Sequence, residues 1–218
     1  MVEGPHLFAE ATAAGAEIVT VFSTDPSPEE TGGADWVVVT PEVLARLSDT
    51  VTPQGPVAVM QVPESGPVRR DHLAVEVSDP GNAGTLIRTA AAFGLDVVFA
   101  DDAVDPWSPK VLRAAAGGHF HTTIGSAPSG CGRIATVAHG GLPIHELPLV
   151  LDPDRIWAIL IGSEAHGLDP DAVADADVRV TIRMPGGVES LNAAVAGAIM
   201  VYEFSRWRNG GGGQNPTR

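Results

Sequence analysis

The chain has 218 residues, 44% of them hydrophobic and 18% charged, which is enough apolar material for a packed core and excludes a mainly disordered protein. Its 25 glycines and 18 prolines indicate many turns without a collagen-like period, and the single cysteine, Cys131, excludes an intrachain disulfide and a cysteine-built zinc site. The net charge of −14 is uneven, about −9 over residues 1–68, where Arg46 is the one basic side chain, and about −5 beyond them. The bulk basic footprint of a nucleic-acid binder is therefore absent.

Residues 5–17 read as a short Ala-rich helix, and Ile18–Phe22 as a β-branched strand. A Pro/Asp/Glu/Gly loop follows over 23–35. Trp36–Thr40 reads as a strand, Pro41–Leu47 as a helix opened by proline, and Val57–Val62 as a third strand. These elements make a small N-terminal domain over 1–63. ESGPVRRD, with its Pro, Gly and charge switch, is a linker over 64–71.

Strands and helices then alternate. His72–Val77, Asp96–Ala100, Phe120–Ile124, Trp157–Ile161 and Val178–Ile182 read as strands, and Ala83–Phe93, Pro109–Ala116 and Cys131–His139 as helices. Ser190–Arg208 is the longest helix, with Leu191, Ala194, Val195, Ala198 and Tyr202 on one side and Ala193, Ala196, Gly197 and Met200 on the other. A helix apolar on both sides is expected to be buried on both, which points to a dimer. The alternation predicts an α/β fold with a mainly parallel sheet over 72–208, and residues 209–218 read as a disordered tail.

The longest uncharged apolar run, Ala193–Tyr202, is half the ~20 residues that cross a bilayer, and the N-terminus lacks the basic start of a signal peptide. A soluble, cytoplasmic protein is expected. There is no GxxxxGK[ST], GxGxxG, HExxH or GxSxG motif. His119 and His121 flank Phe120 at strand spacing, but no further ligands stand at metal-binding spacing, so no metal is expected.

Three segments carry chemistry. Asp79–Gly94 (DPGNAGTLIRTAAAFG) follows a strand and opens a helix. Asn82 is placed to cap it, Gly84 allows close backbone approach, and Arg88 stands one turn after Gly84 on the same face, so that an anion or ribose at the helix start would meet N–H groups and a guanidinium together. The bland alternative is a capped helix with an exposed arginine. Ile159–Leu168 (ILIGSEAHGL) runs from a strand into a glycine-bracketed turn around Glu164, either a ligand loop or a structural turn. Val180–Ala196 (VTIRMPGGVESLNAAVA) passes a Pro-Gly-Gly turn to Ser190, a candidate N-cap, and Asn192, an awkward residue in a buried helix unless it has a partner.

Taken in order, N-x-G-x-x-x-R-T-A, G-x-E-x-x-G and M-x-G-x-x-x-S-L-N resemble the three motifs of the SpoU/TrmH branch of the SPOUT RNA methyltransferases. The resemblance covers about residues 72–207, with Ser108–Phe120 similar to the family's connecting helix. More faintly, residues 3–62 resemble the later part of its small substrate-binding domain, which reads as shortened. The resemblance implies a C-terminal trefoil knot and a homodimer. It implies methyl transfer from S-adenosylmethionine to a ribose 2′-hydroxyl of structured RNA, ribosomal RNA ahead of transfer RNA. It assigns Asn82, Arg88, Glu164, Ser190 and Asn192 to catalysis, and Gly162, Ile182, Met184 and Leu191 to the cofactor. Arg183 replaces a proline usual in the family, and Ala193-Ala194 a Val-Ser. Two alternatives stand beside this reading: a non-catalytic SPOUT-fold binding protein, and a SPOUT methyltransferase for a non-RNA substrate.

Overall fold

The structure is a computed structural model that describes residues 1–26, 33–48, 50, 52–53 and 55–210. Residues 27–32 of the expected loop, and the expected disorder from residue 211 onward, lie outside the described residues; Asn209 and Gly210 complete the last helix.

The N-terminal part forms β1 (Val2–Glu3), α1 (Pro5–Ala13), β2 (Ile18–Ser23), β3 (Asp35–Val38), α2 (Pro41–Leu47) and β4 (Val57–Met60). Its sheet has the order β1-β4-β2-β3, with β2 and β3 parallel and the other pairs antiparallel. Val2, Leu7, Val21, Ala58 and Met60 form a small core, closed by Leu112 from the second part of the chain.

That second part contains β5 (His72–Val75), α3 (Pro80–Phe93), β6 (Asp96–Phe99), α4 (Pro109–Ala115), β7 (Ile124–Gly125), β8 (Gly132–Thr136), β9 (Leu142–Pro143), β10 (Trp157–Ile161), α5 (Pro170–Ala174), β11 (Val178–Thr181) and α6 (Ala193–Gly210). Its seven strands are parallel throughout, in the order β7-β6-β5-β10-β8-β11-β9. Every residue of β10 (WAILI) is buried, as the centre of a parallel sheet covered on both faces requires.

Two readings of the sequence are corrected. Residues 131–139 are not a helix: Gly132–Thr136 is β8, second from the centre of the sheet, where Ile134 and Ala135 are fully buried. The β-branched run favours this placement, and Gly132 leaves room for the Trp157 ring, which a Cβ there would meet at 2.3 Å. Phe120–Ile124 is not one strand but the end of a 3-10 turn (Gly118–Phe120) followed by the two-residue β7. His119 and His121 therefore do not share a strand face. His119 is buried against the Pro106 carbonyl, and His121 faces Glu10 of α1 at 2.7 Å.

Helices α3 and α6 pack over the same side of the core through Leu86, Ile87, Met200 and Phe204, all fully buried. Gly84 serves this packing: a Cβ there would stand 2.4 Å from that of Ala114, so glycine is what lets α3 and α4 touch. The end of α6 is tied to the start of the sheet. Arg208 binds Asp71 in a two-pronged pair, Nε to Oδ2 at 2.6 Å and Nη2 to Oδ1 at 2.7 Å, and also donates to the carbonyls of Pro153 and Arg155. Asp71 in turn accepts the Trp157 amide at 2.8 Å, so one carboxylate joins the entrances of β5 and β10 to α6. No helix among the described residues is long and apolar enough to cross a membrane.

Candidate active site

In a parallel sheet the loops that follow the strands gather at one edge, and ligands bind in the crevice they leave there. The loops after β8, β10 and β11 enclose a cleft of about 560 Å³ at that edge. Thr136, Val137 and Ala138 form one wall. The turn 162–167 forms a second, and Ile182, Met184 and the segment 190–193 a third. The turn after β10 is tightly wound. Ser163 and Gly167 exchange backbone hydrogen bonds at 3.0 and 2.9 Å, and a Cβ on Gly162 would stand 2.2 Å from the Gly167 and Leu168 backbone. Glycine at 162 is thus demanded by the loop's own closure.

Gly162, Ile182, Met184 and Leu191 all line the cleft, as do Glu164, Ser190 and Asn192. Asn82 reaches its edge from α3. Its Nδ2 donates to Glu164 Oε1 at 2.7 Å, and its Oδ1 accepts from Asn192 Nδ2 at 2.9 Å. Asn192 Oδ1 accepts the Ala194 and Val195 amides at 3.0 and 3.1 Å. Asn192 is therefore the N-cap of α6, which begins at Ala193 and not at Ser190, and the awkward asparagine sits where asparagine is favoured.

The polarity of this relay is fixed at both ends. Backbone N–H groups only donate and an ionised carboxylate only accepts, so both amides have one orientation. Hydrogen bonds aligned head to tail in this way reinforce one another. Burial pushes the Glu164 carboxyl up. The Asn82 bond and the amides of Glu164, Ser78 and Asp79 outweigh it, and its pKa lies below the ordinary glutamate value.

The helix start differs from expectation. Asp79, not Asn82, caps α3, its Oδ1 accepting the Asn82 amide at 2.8 Å, with Pro80 at the first helical position. A carboxylate already occupies the place proposed for an anion, and the Asn82 side chain is released to the relay. Arg88 stands apart from the set. It is exposed, does not line the cleft, and its side chain has no hydrogen-bond or ion-pair partner among the described residues. The loop before β7 presses on its backbone, where a Cβ on Gly118 would stand 2.9 Å from Arg88 Cα.

Sequence reasoning missed the Thr136–Ala138 wall, because a helix over 131–139 turns those residues elsewhere. The β-branched run Ile134–Val137 between glycines was the available signal. It also passed over His166, which lines the cleft and whose amide donates to Ser163 Oγ at 3.3 Å. No group of three or more His, Cys, Asp or Glu able to hold a metal occurs among the described residues.

Comparison with known proteins agrees with this architecture. The model of the SpoU rRNA Methylase family matches residues 73–202, and that of the MRM3-like substrate binding domain matches residues 1–58. The 23S rRNA (guanosine(2553)-2′-O)-methyltransferase RlmP of Bacillus subtilis (strain 168) is 34% identical over 221 residues, covering 94% of this chain and 87% of its own. The 23S rRNA (uridine(2479)-2′-O)-methyltransferase of Streptomyces viridochromogenes is 30% identical over 202 residues, covering 81% and 69%. Among solved structures, a putative RNA methyltransferase of the TrmH family from Porphyromonas gingivalis superposes with a TM-score of 0.82 at 29% identity, covering 95% of this chain and 88% of that one. The SpoU methyltransferase AviRb from Streptomyces viridochromogenes, solved in complex with the cofactor AdoMet, gives 0.79 at 26%, covering 96% and 90%. With three motifs converging on one sheet edge and the family model spanning more than half its length, the chain belongs to the SpoU rRNA methylase family.

Proposed function

We propose that the protein transfers a methyl group from S-adenosylmethionine to a ribose 2′-hydroxyl of ribosomal RNA. The observation that carries this is the cleft whose second- and third-motif walls are locked to the first motif by the Asn82–Glu164–Asn192 relay.

The residues present fit that cofactor. The cleft's volume is within the ~300–1,000 Å³ range of small-molecule sites. Its walls mix apolar side chains and loop backbone with polar groups such as Thr136, His166, Ser190 and Asn192, and Glu164 is the one carboxylate among its lining residues, suited to a positively charged ligand. Gly162, Ile182, Met184 and Leu191 would hold it, with Thr136–Ala138 opposite. When bound, S-adenosylmethionine supplies a methyl group already activated by its sulfonium.

What remains for the chain is to align a weakly acidic hydroxyl, and positioning alone is worth up to ~7–11 kcal/mol in favourable cases. Arg88 clamps the phosphate beside the target ribose and polarises the 2′-oxygen. It is not a general base, since a guanidinium stays protonated. Ser190 and Asn192 complete the hydroxyl pocket, and Glu164 fixes the second-motif loop. Asn82, bonded to both asparagine and glutamate, holds those walls together.

In the same reading residues 1–63 bind substrate, 64–71 link, and 72–208 form the catalytic domain with its trefoil knot, in a cytoplasmic homodimer. The dimer is supported by exposed apolar groups on neighbouring helices. Val195 and Tyr202 of α6 are half exposed, and Phe93 of α3 meets the Tyr202 ring edge-on at 6.2 Å. Light scattering should give twice the chain mass, and an active monomer would remove this part. Methyl transfer from labelled cofactor to total ribosomal RNA, with transfer RNA as control and nuclease mapping of the product, tests the activity. Label in a single ribosomal ribose is expected. Calorimetry should show cofactor binding that survives a chelator, and no binding at millimolar cofactor would overturn the enzyme reading.

A further inference from the structure

A second cleft, of about 620 Å³, lies between the N-terminal part and the turns on either side of α4, away from the site above. One side is the turn after α1 and the exit of β4, with Glu17, Gln61 and Glu64. The other is an aromatic wall of Trp107, His119 and Phe120.

The wall is built as a platform. The turn carrying Trp107 is tied by its amide to Asp105 Oδ1 at 2.9 Å, and the indole stands 5.0 Å from the His119 ring. His119 is 4% exposed, and its Nε2 lies 2.7 Å from the Pro106 carbonyl, which only accepts, so the ring donates there. Burial, opposed by that contact, pushes the His119 pKa below the ordinary histidine value. Trp107 and Phe120 are half-buried, leaving ring surface open to the cleft.

The chemistry opposite is one-sided. Glu17 and Glu64 are exposed and their carboxylates have no hydrogen-bond or ion-pair partner among the described residues, and neither lysine nor arginine lines the cleft. A phosphate is repelled there. A flat ring with N–H donors on its edge is accepted twice, its face on the aromatic wall and its edge on the carboxylates. Among nucleobases guanine presents two adjacent N–H donors, at N1 and N2, in the spacing of the two oxygens of a carboxylate. The location adds weight, since the turn that carries His119 and Phe120 begins at Gly118, which packs on the backbone of Arg88.

We propose that this cleft is a subsite for an unpaired guanine of the RNA substrate, stacked on Trp107 and Phe120 and read by the carboxylates of Glu17 and Glu64. Unpaired bases stacked on aromatic side chains are the usual means of sequence-specific RNA recognition. The acidic N-terminal domain thereby contacts RNA through bases and leaves the phosphates to the other half of the chain.

The subsite rests on the RNA-methylation reading, and its test separates the two. Binding of the pentaribonucleotides UUGUU, UUAUU and UUUUU to the full chain, without cofactor, is followed by tryptophan fluorescence and by calorimetry. UUGUU should bind at least fivefold tighter than the other two. Trp107→Ala should weaken it roughly 5- to 150-fold, the range set by one base–aromatic stack, and Trp107→Phe should keep most of the affinity while losing the quench. The double change Glu17→Gln, Glu64→Gln should erase the preference for guanine while leaving the fold intact, since both side chains are exposed. With ribosomal RNA as substrate, Trp107→Ala should raise KM and spare kcat. Equal affinity for the three oligonucleotides, or an unchanged KM in an enzyme that methylates, overturns the subsite and leaves the activity standing. An enzyme that fails to methylate but prefers UUGUU through Trp107 leaves the subsite standing and overturns the activity.

Discussion

Helix α3 carries one member of the relay, Asn82, and also Arg88, and the two side chains are in opposite states. Asn82, Glu164 and Asn192 spend their donors and acceptors on one another and on the first turn of α6. Arg88, six residues along α3 from Asn82, spends none of its five donors on described residues. The first set is joined within the protein and works as a frame. Under the proposed function the second is a charge whose partner is the phosphate of the substrate, a group its planar fork fits. In that reading two polar groups of one motif, six residues apart, divide between holding the fold and awaiting the substrate.

The change that tests this division most severely is Arg88→Ala. Losing a charge-assisted contact made in the transition state should cost about 3–4 kcal/mol, or roughly 10²–10³ in single-turnover rate, while calorimetry finds cofactor affinity nearly unchanged. Arg88→Lys should recover little, since the charge remains but the fork is lost. Activity within a few-fold of the unaltered protein would erase the contrast.

Asn82→Asp attacks the frame. It sets two carboxylates in the place of an amide–carboxylate bond of 2.7 Å, and cofactor affinity should fall on the order of tenfold at neutral pH, recovering as acid supplies a shared proton. Asn192→Ala removes the α6 cap and should lower stability by about 1–2 kcal/mol in denaturant titrations.

The smallest effect is acid loosening of the unaltered relay. The Glu164 pKa is lower folded than the ordinary 4.5, so its contribution is present above that value and lost as pH falls through the depressed folded value. Glu164→Gln should remove this dependence, read as cofactor affinity across pH 3–6, without changing affinity at neutral pH by more than a few-fold.

The alternation of β5, α3, β6 and α4, and the buried character of β10, were legible because parallel strands and amphipathic helices write their periods into the sequence. Residues 131–139 were not, since a short apolar run has no period of its own to separate helix from strand. Its position beside β10, which decides the matter, is a long-range fact. Asn192 was rightly suspected, but as a buried misfit; a helix start misjudged by three residues hid that it was a cap. The role of Asn82 was illegible for a similar reason. Asp79 and Asn82 are both good capping residues, and only contact with Glu164, 82 positions away, distinguishes them. The second cleft left no motif, since its walls come from four separate stretches of chain joined by packing.

The pairing of Arg208 with Asp71 has a practical corollary for anyone dividing the molecule. A catalytic fragment begun at His72, where the first strand starts, would discard the carboxylate that receives both the guanidinium of the last helix and the amide of the central strand. Begun one residue earlier, the fragment carries its own fastening, and its two cut ends meet at a single ionic hinge-pin. Amide exchange in the final turn of that helix then reports whether the ring is closed: slow in the longer fragment, fast in the shorter, for the sake of one aspartate.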